Sequence, residues 1–593
     1  MNITLTPLWL LLCVLFPAAV AVLFAWPAAR SIATRLAPWT ALPAVLISVT
    51  PHPDFHGELS WLLMGMHLGL DEPTRIFLFL TAWVWFWATF YARRYVTGEE
   101  TRHRFLVFFL VTMSGNLGLI FAQDMLSYLL FFAVMSLASY GLIVHRMDLE
   151  SLRAGKVYIT LVIIGEVVLF SGALFAWALT GSIWLPDVAQ GLADEAGRNL
   201  PLTLFFLGFG IKAGVLPLHI WLPLAHPAAP TPASAVLSGT MIKAGLLGWL
   251  RFMPIGLLPM GGWGRWCIGA GLLAVFFGVA IGLTQRNPKT ILAYSSISQM
   301  GFMTVIVGMG MIAPATWPLA YVALLIYAVH HALAKGSLFL GVGVALEPMR
   351  WRAQQFLVAA GLIFASVALA GAPWTTGAIA KAAIKDVAYE TPEYYGEWLI
   401  WMLSFGAVGT ALLMTRFLWV VWPRKLRFEE KGPTRGLWVS WATLVVSVAL
   451  VPWVLPWEGF AEAARHAASL SAIWSSLWPL LLAAIIAVAG LGWGKAIAYR
   501  PKMRMPAGDL IVPTVWLLAR ATWGWYHFRQ FVFRSWRGAV RMSGAFIARH
   551  QARAEYFSAI ETRLRQWATG GLMVIVLGIL LIIALAVGII ADG

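Results

Sequence analysis

The sequence predicts an all-α polytopic membrane protein, and three observations carry that reading. Of 593 residues, 60% are hydrophobic and only 11% charged, against roughly 25% charged in soluble domains. Mean hydropathy is +0.78, and apolar runs of about 20 residues, the length that crosses a bilayer as a helix, recur along the whole chain. Basic residues sit in short loops between those runs, so the net charge of +16 reads as the positive-inside pattern and not as a nucleic-acid footprint.

Taken in order, the apolar runs give 16 candidate spans. They fall near 7–28, 37–50, 75–92, 104–121, 125–145, 156–180, 202–222, 232–251, 264–284, 289–310, 316–346, 354–389, 398–421, 436–455, 471–493 and 570–590. The first carries no Lys or Arg before Pro7 and is long enough to span, so it is expected to stay as a helix and not to be cleaved as a signal. The second is short for a bilayer.

Loop charges alternate along this series. Arg30 with Arg35, the stretch Arg93 to Arg104, Arg146 to Lys156, Arg286 to Lys289, Arg350 with Arg352, Arg416 to Arg435 and Lys495 to Arg504 fall on one side. The opposite loops, Asp187 to Glu195, Glu390 to Glu397, and Glu458 with Glu462, are acidic. The basic loops therefore belong in the cytoplasm and both termini outside, in a cell inner membrane.

One segment does not read as a span. From Thr514 to Trp567 nine arginines mix with aromatic residues such as Trp516, Trp523 and Phe531, which suits a membrane interface better than its interior. As one helix it would reach ~80 Å at 1.5 Å per residue. Two shorter surface helices broken near Gly538 or Gly544 are the alternative.

Composition also excludes several chemistries. Cys13 and Cys267 are the only cysteines, too few for a disulfide framework, and no zinc site or iron-sulfur cluster is expected. Gly490 to Lys495 (GLGWGK) lacks the glycine spacing and the following Ser or Thr of a phosphate-binding loop. No cofactor and no catalytic centre are expected in this chain, so any work it does must be driven from elsewhere.

Ionisable residues inside the spans are the strongest functional signal. A Lys at the centre of a spanning helix costs ~2.5 to 3.5 kcal/mol on insertion scales. Glu166 lies mid-way in span six, Lys212 in span seven, Lys243 in span eight, Lys335 in span eleven, and Lys381 and Lys385 in span twelve. His219, His226, His330 and His331 accompany them as supporting candidates. A lysine snorkelling to the headgroups is the alternative account, strongest for Lys385 near the acidic end of its helix. A buried histidine alone is more often a satisfied core residue. His330 and His331 point about 100° apart on a helix, which argues against paired haem ligation.

Two spans are also broken, at Pro217 in span seven and at Pro373 in span twelve. Proline frees helical carbonyls, which can be satisfied only beside protein or water. Each break therefore marks a hydrated cavity beside a buried lysine. The breaks are five spans apart, an odd offset that makes the two copies antiparallel, as in an inverted repeat. The organisation expected is N-terminal helices over 1–103, a first repeat over 104–251, a second over 252–421, additional helices over 422–505, the amphipathic segment over 506–567 and an anchor over 568–593. Buried lysines reset by a nearby carboxylate can pass protons.

Motifs at these positions resemble a known family. Gly208 to Arg251 (GFGIKAGVLPLHIWLPLAHPAAPTPASAVLSGTMIKAGLLGWLR) is similar to the signature of antiporter-like subunits of respiratory complex I, Mrp-type cation/proton antiporters and membrane-bound hydrogenases. Asn287 to Gly301 (NPKTILAYSSISQMG), His331 to Leu340 (HALAKGSLFL) and Gly371 to Lys381 (GAPWTTGAIAK) match further motifs, and the resemblance covers roughly 70–420. The wording is most similar to the large antiporter-like subunit of hydrogenase-4 and formate hydrogenlyase. The resemblance implies that Lys212 is the pumping lysine of a first half-channel, Lys243 and His331 the bridge, Lys335 a relay beside them, and Lys381 the terminal lysine of the second. It also implies that 514–567 is one lateral helix contacting neighbouring subunits.

One departure matters. The family's fifth span carries a WExxSLxSY-like run whose glutamate pairs with the span-seven lysine. Aligning Ser136 to Tyr140 (SLASY) puts Phe132 at the tryptophan position and Ala133 at the glutamate position. Glu166, at similar depth, is the expected replacement, with Asp124 in reserve, although its place at a helix start suits a cap.

The leading functional expectation is a proton-translocating membrane subunit of a redox-driven complex, with other membrane subunits as partners and protons as cargo. An Mrp-like antiporter, for which Na⁺ would be a second cargo, is the alternative. A membrane scaffold that has lost its pump, and a subunit coupled to inorganic-carbon uptake, are further readings.

Overall fold

A computed structural model describes residues 7–50, 54–62, 65–96, 98–349, 351–422, 435–454, 457 and 459–497. The segment 514–567 and the span expected at 570–590 lie outside the described residues. Two compact units are distinguished, 1–58 with 66–508 and 59–65 with 509–593; the fold and sites below belong to the first.

The described residues are almost wholly helical. The chain opens with α1 (Pro7–Leu23), α2 (Arg30–Leu36) and α3 (Leu42–Val49), then two five-residue strands, β1 (Phe55–Leu59) and β2 (Met66–Leu70). Four long helices follow, α4 (Glu72–Tyr95), α5 (Glu99–Phe121), α6 (Met125–Ile143) and α7 (Leu149–Thr180), with a short α8 (Leu185–Asp194). Next come α9 (Asn199–Ala213), α10 (Trp221–Ala228), α11 (Thr231–Val236) and α12 (Ile242–Phe252). The remainder is α13 (Gly261–Leu283), α14 (Pro288–Ile312), α15 (Trp317–Leu346), α16 (Arg352–Ala370), α17 (Thr376–Glu390), α18 (Glu393–Val421), α19 (Arg435–Val454), α20 (Phe460–Ala467) and α21 (Leu470–Ile497).

Among the described residues 13 helical stretches are long and apolar enough to cross a membrane. The expected first and fourteenth spans are shorter apolar helices, Leu8–Leu23 and Gly436–Val451. The short second span gains length because α2 runs on through 3₁₀ turns, so that Pro27–Val49 forms one 23-residue stretch.

Helix starts follow local capping chemistry. Asp71, Asp124 and Asp148 accept from the backbone N–H three residues on, at 2.8, 2.7 and 2.8 Å, and so cap α4, α6 and α7. Asp124 also takes the N–H of His67 at 2.9 Å. Its carboxylate is thus engaged as a cap.

Two features position the interior. In α13 and α14 glycines seven residues apart meet face to face. A methyl on Gly264 or Gly271 would collide with the carbonyl of Gly308 or Gly301, and one on Gly278 with that of Tyr294. Small residues let membrane helices approach to backbone contact, and α14 is wholly enclosed as a result. Arg251, at the end of α12, donates to the carbonyls of Leu119, Ile120 and Ala122 and to the Thr74 hydroxyl. It thereby satisfies the last turn of α5, where helical carbonyls lack partners.

Both expected breaks are present, but glycine makes them. α9 ends at Gly214 (φ 73°) and α16 at Gly371 (φ 96°), both left-handed. Pro217 and Pro373 follow two or three residues later, where they prevent the helix from resuming.

Candidate functional site

Lys212 occupies the last turn of α9, two residues before its glycine stop, and is 3% exposed. Its ammonium donates to Ser136 Oγ at 3.1 Å and to the Tyr158 hydroxyl at 3.0 Å. The rings of Phe132, Tyr158 and Trp221 surround it at 5.9, 5.4 and 5.9 Å. An aromatic cage of this kind offers a desolvated cation partial compensation through ring quadrupoles. Phe132, from α6, completes the aromatic wall.

The carboxylate nearest this site comes from α7. That helix buries a stripe through Tyr158, Val162, Gly165 and Leu169, while Ile163, Ile164, Val167 and Phe170 are exposed on its outer face. Glu166 stands at the edge of the buried stripe, half-buried. It is in electrostatic reach of Lys212 and faces the Ser136 hydroxyl. Its Oε1 is buried and has no hydrogen-bond partner among the described residues.

The central group is more tightly knit. A π-helical turn, Leu237–Met241, separates α11 from α12 just before Lys243; such turns favour functional sites. Lys243 Nζ donates to the Ser238 carbonyl, inside that turn, at 2.9 Å, and lies 2.5 Å from His331 Nδ1 on α15. When the lysine is an ammonium it has no lone pair, so the imidazole nitrogen would then accept, with the ring proton on Nε2. That Nε2 is buried without a protein partner among the described residues. One turn along α15, Lys335 donates to the Leu292 carbonyl of α14 at 2.8 Å. All three residues are 0 to 1% exposed.

His330 turns the other way, its Nδ1 2.7 Å from Thr376 Oγ1 at the start of α17. It lies in electrostatic reach of Lys381, Lys243 and Lys335. Lys381 runs along Gly371, where a methyl would collide with its side chain, and its ammonium sits 4.7 Å over the Phe302 ring. No described residue hydrogen-bonds that ammonium. Phe302 stacks on Tyr327, whose hydroxyl donates to Gln299 at 2.9 Å.

The remaining candidates lie to either side. Lys385 donates to the carbonyl and hydroxyl of Ser475 on α21, at 3.1 and 2.8 Å. Beside it Asp386 meets His466 Nδ1 at 2.8 Å, and the group lines a cavity of about 170 Å³. His226 stacks on Phe339 at 4.7 Å within electrostatic reach of Lys335. His219 packs edge-on to Phe277 at 5.2 Å.

The structure thus forms two clusters, one around Lys212 and one running from Lys243 to Lys381. No described hydrogen bond joins Lys212 to Lys243. Between α9 and α12 the backbones touch at Gly245, where a methyl would meet the Phe209 carbonyl. Sequence reasoning assigned no role to Ser136, Tyr158, Ser238 or Thr376. Hydroxyls in apolar helices are the only signal such residues give, and many satisfy their own helix: Thr112 and Thr304, for example, each bond the carbonyl four residues back.

Comparison with known proteins places the chain. A model of the family described as NADH:quinone oxidoreductase/Mrp antiporter, transmembrane, matches residues 122–413. Hydrogenase-4 component B of Escherichia coli is 29% identical over 304 residues, 50% of this chain and 44% of that protein. A Na(+)/H(+) antiporter protein of Alkalihalophilus pseudofirmus is 26% identical over 388 residues, 62% and 76% of the two chains. This chain therefore spans under half the length of the hydrogenase component it matches. A solved Mrp complex from Dietzia has the same fold, with a TM-score of 0.74 at 20% identity over 93% of this chain and 62% of that one. By the match of residues 122–413, just under half of its length, the chain resembles the antiporter-like, multi-pass membrane proteins of the NADH:quinone oxidoreductase/Mrp antiporter family.

Proposed function

We propose that this chain is a proton-translocating subunit of a larger membrane complex, passing protons along Glu166, Lys212, Lys243, His331, Lys335 and Lys381. The observation that carries this is the contact of Lys243 with His331, two titratable groups sealed from lipid and solvent. Structural lysines need acceptors to offset burial; a lysine held against a neutral imidazole can instead exchange a proton with it. The Nε2 of His331 and the ammonium of Lys381 have no protein partner among the described residues, and buried polar groups of this kind are those that internal water satisfies, which supports a wettable path.

The two breaks, at Gly214 and Gly371, support an inverted repeat of 104–251 and 252–421, each with a lysine beside its break. The Lys212 and Lys381 sites are then equivalent stations of two half-channels, with basic loops facing the cytoplasm of an inner membrane. The segment 514–567 is assigned to a lateral helix that contacts neighbouring subunits. Moving one charge against 100 mV takes ~2.3 kcal/mol, and a partner subunit must supply it. The hydrogenase-4 relative favours a redox module in that place. The Na(+)/H(+) antiporter relative favours the second reading, exchange of a cation for protons.

Inverted membrane vesicles carrying the chain with its natural neighbours test the proposal through quenching of a pH-sensitive dye. Lys212→Ala and Lys243→Ala are expected to abolish quenching while the complex stays assembled. Unchanged quenching in both would leave a scaffold. Quenching that requires Na⁺ and no redox substrate would select the antiporter.

A further inference from the structure

The Lys212 cluster contains one group able to connect its two charges. We infer that the Ser136 hydroxyl is the proton carrier between Lys212 and Glu166, taking the place of the direct lysine–glutamate contact that Ala133 cannot make. The inference deepens the proposed function and rests on it.

Two oxygens accept from Lys212, and only one of them leads onward. Tyr158 has a single proton, directed at the Ser136 carbonyl at 3.0 Å or at Ser139 Oγ at 2.5 Å. Ser139 in turn donates to the Ser136 carbonyl at 2.8 Å. A proton received by Tyr158 therefore meets a backbone carbonyl, which does not hold it. The phenol is a positioning residue: it fixes the ammonium and offers no exit.

Ser136 differs in both respects. Its Oγ accepts from Lys212 at 3.1 Å, and it faces Glu166. In the step inferred here, an N–H bond of the Lys212 ammonium breaks as an O–H bond forms at Ser136 Oγ. The original Ser136 O–H bond breaks as its proton passes to the Glu166 carboxylate. Lysine ends neutral, glutamic acid ends neutral, and the hydroxyl is unchanged, so the pair discharges without either charge meeting water. The reverse sequence recharges it.

Vesicles of the assembled complex test this with five variants. Ser136→Ala is expected to lower the rate of dye quenching by about 100-fold, the low side of what a positioned proton-transfer group contributes. Ser136→Thr, which keeps the oxygen, is expected to restore most of it. Tyr158→Phe is expected to cost a few-fold and to leave the solvent deuterium isotope effect as it is in the parent, whereas Ser136→Ala changes it. Glu166→Gln and Lys212→Ala serve as references. Parental rates in Ser136→Ala with both references inactive would overturn the hydroxyl step and leave the proposed function standing. Parental rates in all three would overturn the proposed function itself. Assembly of each variant is read from copurification of its neighbours, and loss of quenching in Ser136→Thr as severe as in Ser136→Ala would also overturn the step.

Discussion

His331 Nδ1 lies 2.5 Å from Lys243 Nζ, so a helix-borne imidazole on α15 closes over an ammonium that the preceding π turn has already engaged at Ser238. Acceptance and titration can be separated at this contact. His331→Asn places an amide oxygen near the accepting position and is expected to keep stability within about 1 kcal/mol while transport is lost. His331→Leu removes the acceptor from a buried cation and is expected to cost a further ~1.5 to 3 kcal/mol. Denaturant titration in detergent, run beside the vesicle assay, reads both.

Lys381→Met should stabilise the protein. The ammonium has no hydrogen-bond partner among the described residues, so its removal orphans none of them, and a thioether suits the Phe302 face. A gain of roughly 1 to 3 kcal/mol is expected from the relieved insertion cost, with proton transport abolished. A stability loss instead would mark the lysine as structural.

Gly371→Ala is expected to fail on two counts. Its φ of 96° disfavours any Cβ by roughly 1 to 2 kcal/mol, and the new methyl would strike the Lys381 chain. Transport should fall with stability, as read by the vesicle assay beside thermal melts.

Arg251→Lys is not a conservative change here. The guanidinium reaches three carbonyls and one hydroxyl at the end of α5, a fork that a point ammonium does not reproduce. A loss of about 1.5 to 3 kcal/mol is expected, seen as lower melting temperature and yield with the lysine sites untouched.

Asp148 gives a pH signature outside the membrane. The backbone N–H and side chain of Ser151 hold its carboxyl below the usual carboxylate range. A folded-state value below the unfolded one means that the cap contributes fully above the unfolded value, near 4. The contribution fades as pH falls through the folded value. Asp148→Ala is expected to cost about 1 kcal/mol at neutral pH and progressively less in acid, as measured by thermal melts between pH 7 and 3.

Thirteen of the spans were legible because an apolar run long enough to cross a bilayer has few other destinations, and the lysines stood out because charge inside such a run is costly. Lys212, Lys243 and Lys381 are accordingly buried where their places in the runs put them. The breaks were legible in position and misread in agent: proline is the familiar helix breaker, but left-handed Gly214 and Gly371 stop the chain first. Ser136 and Tyr158 were invisible because a hydroxyl becomes a lysine partner only through the meeting of α6, α7 and α9. The π turn was equally hidden, since the residues from Leu237 to Met241 have no propensity that distinguishes it from an ordinary helix.

The glycine seam between α13 and α14 has a mechanical consequence. Main chain rests on main chain at these glycines, with Ile268, Val305 and Ile312 packed beside them, so α14 serves as a keel. Leu292, Ser296, Gln299 and Phe302, which hold or face the polar centre, cannot slide with respect to α13. Any local adjustment around the lysines is then expected first at the breaks after Gly214 and Gly371, where the helical ladder is already interrupted.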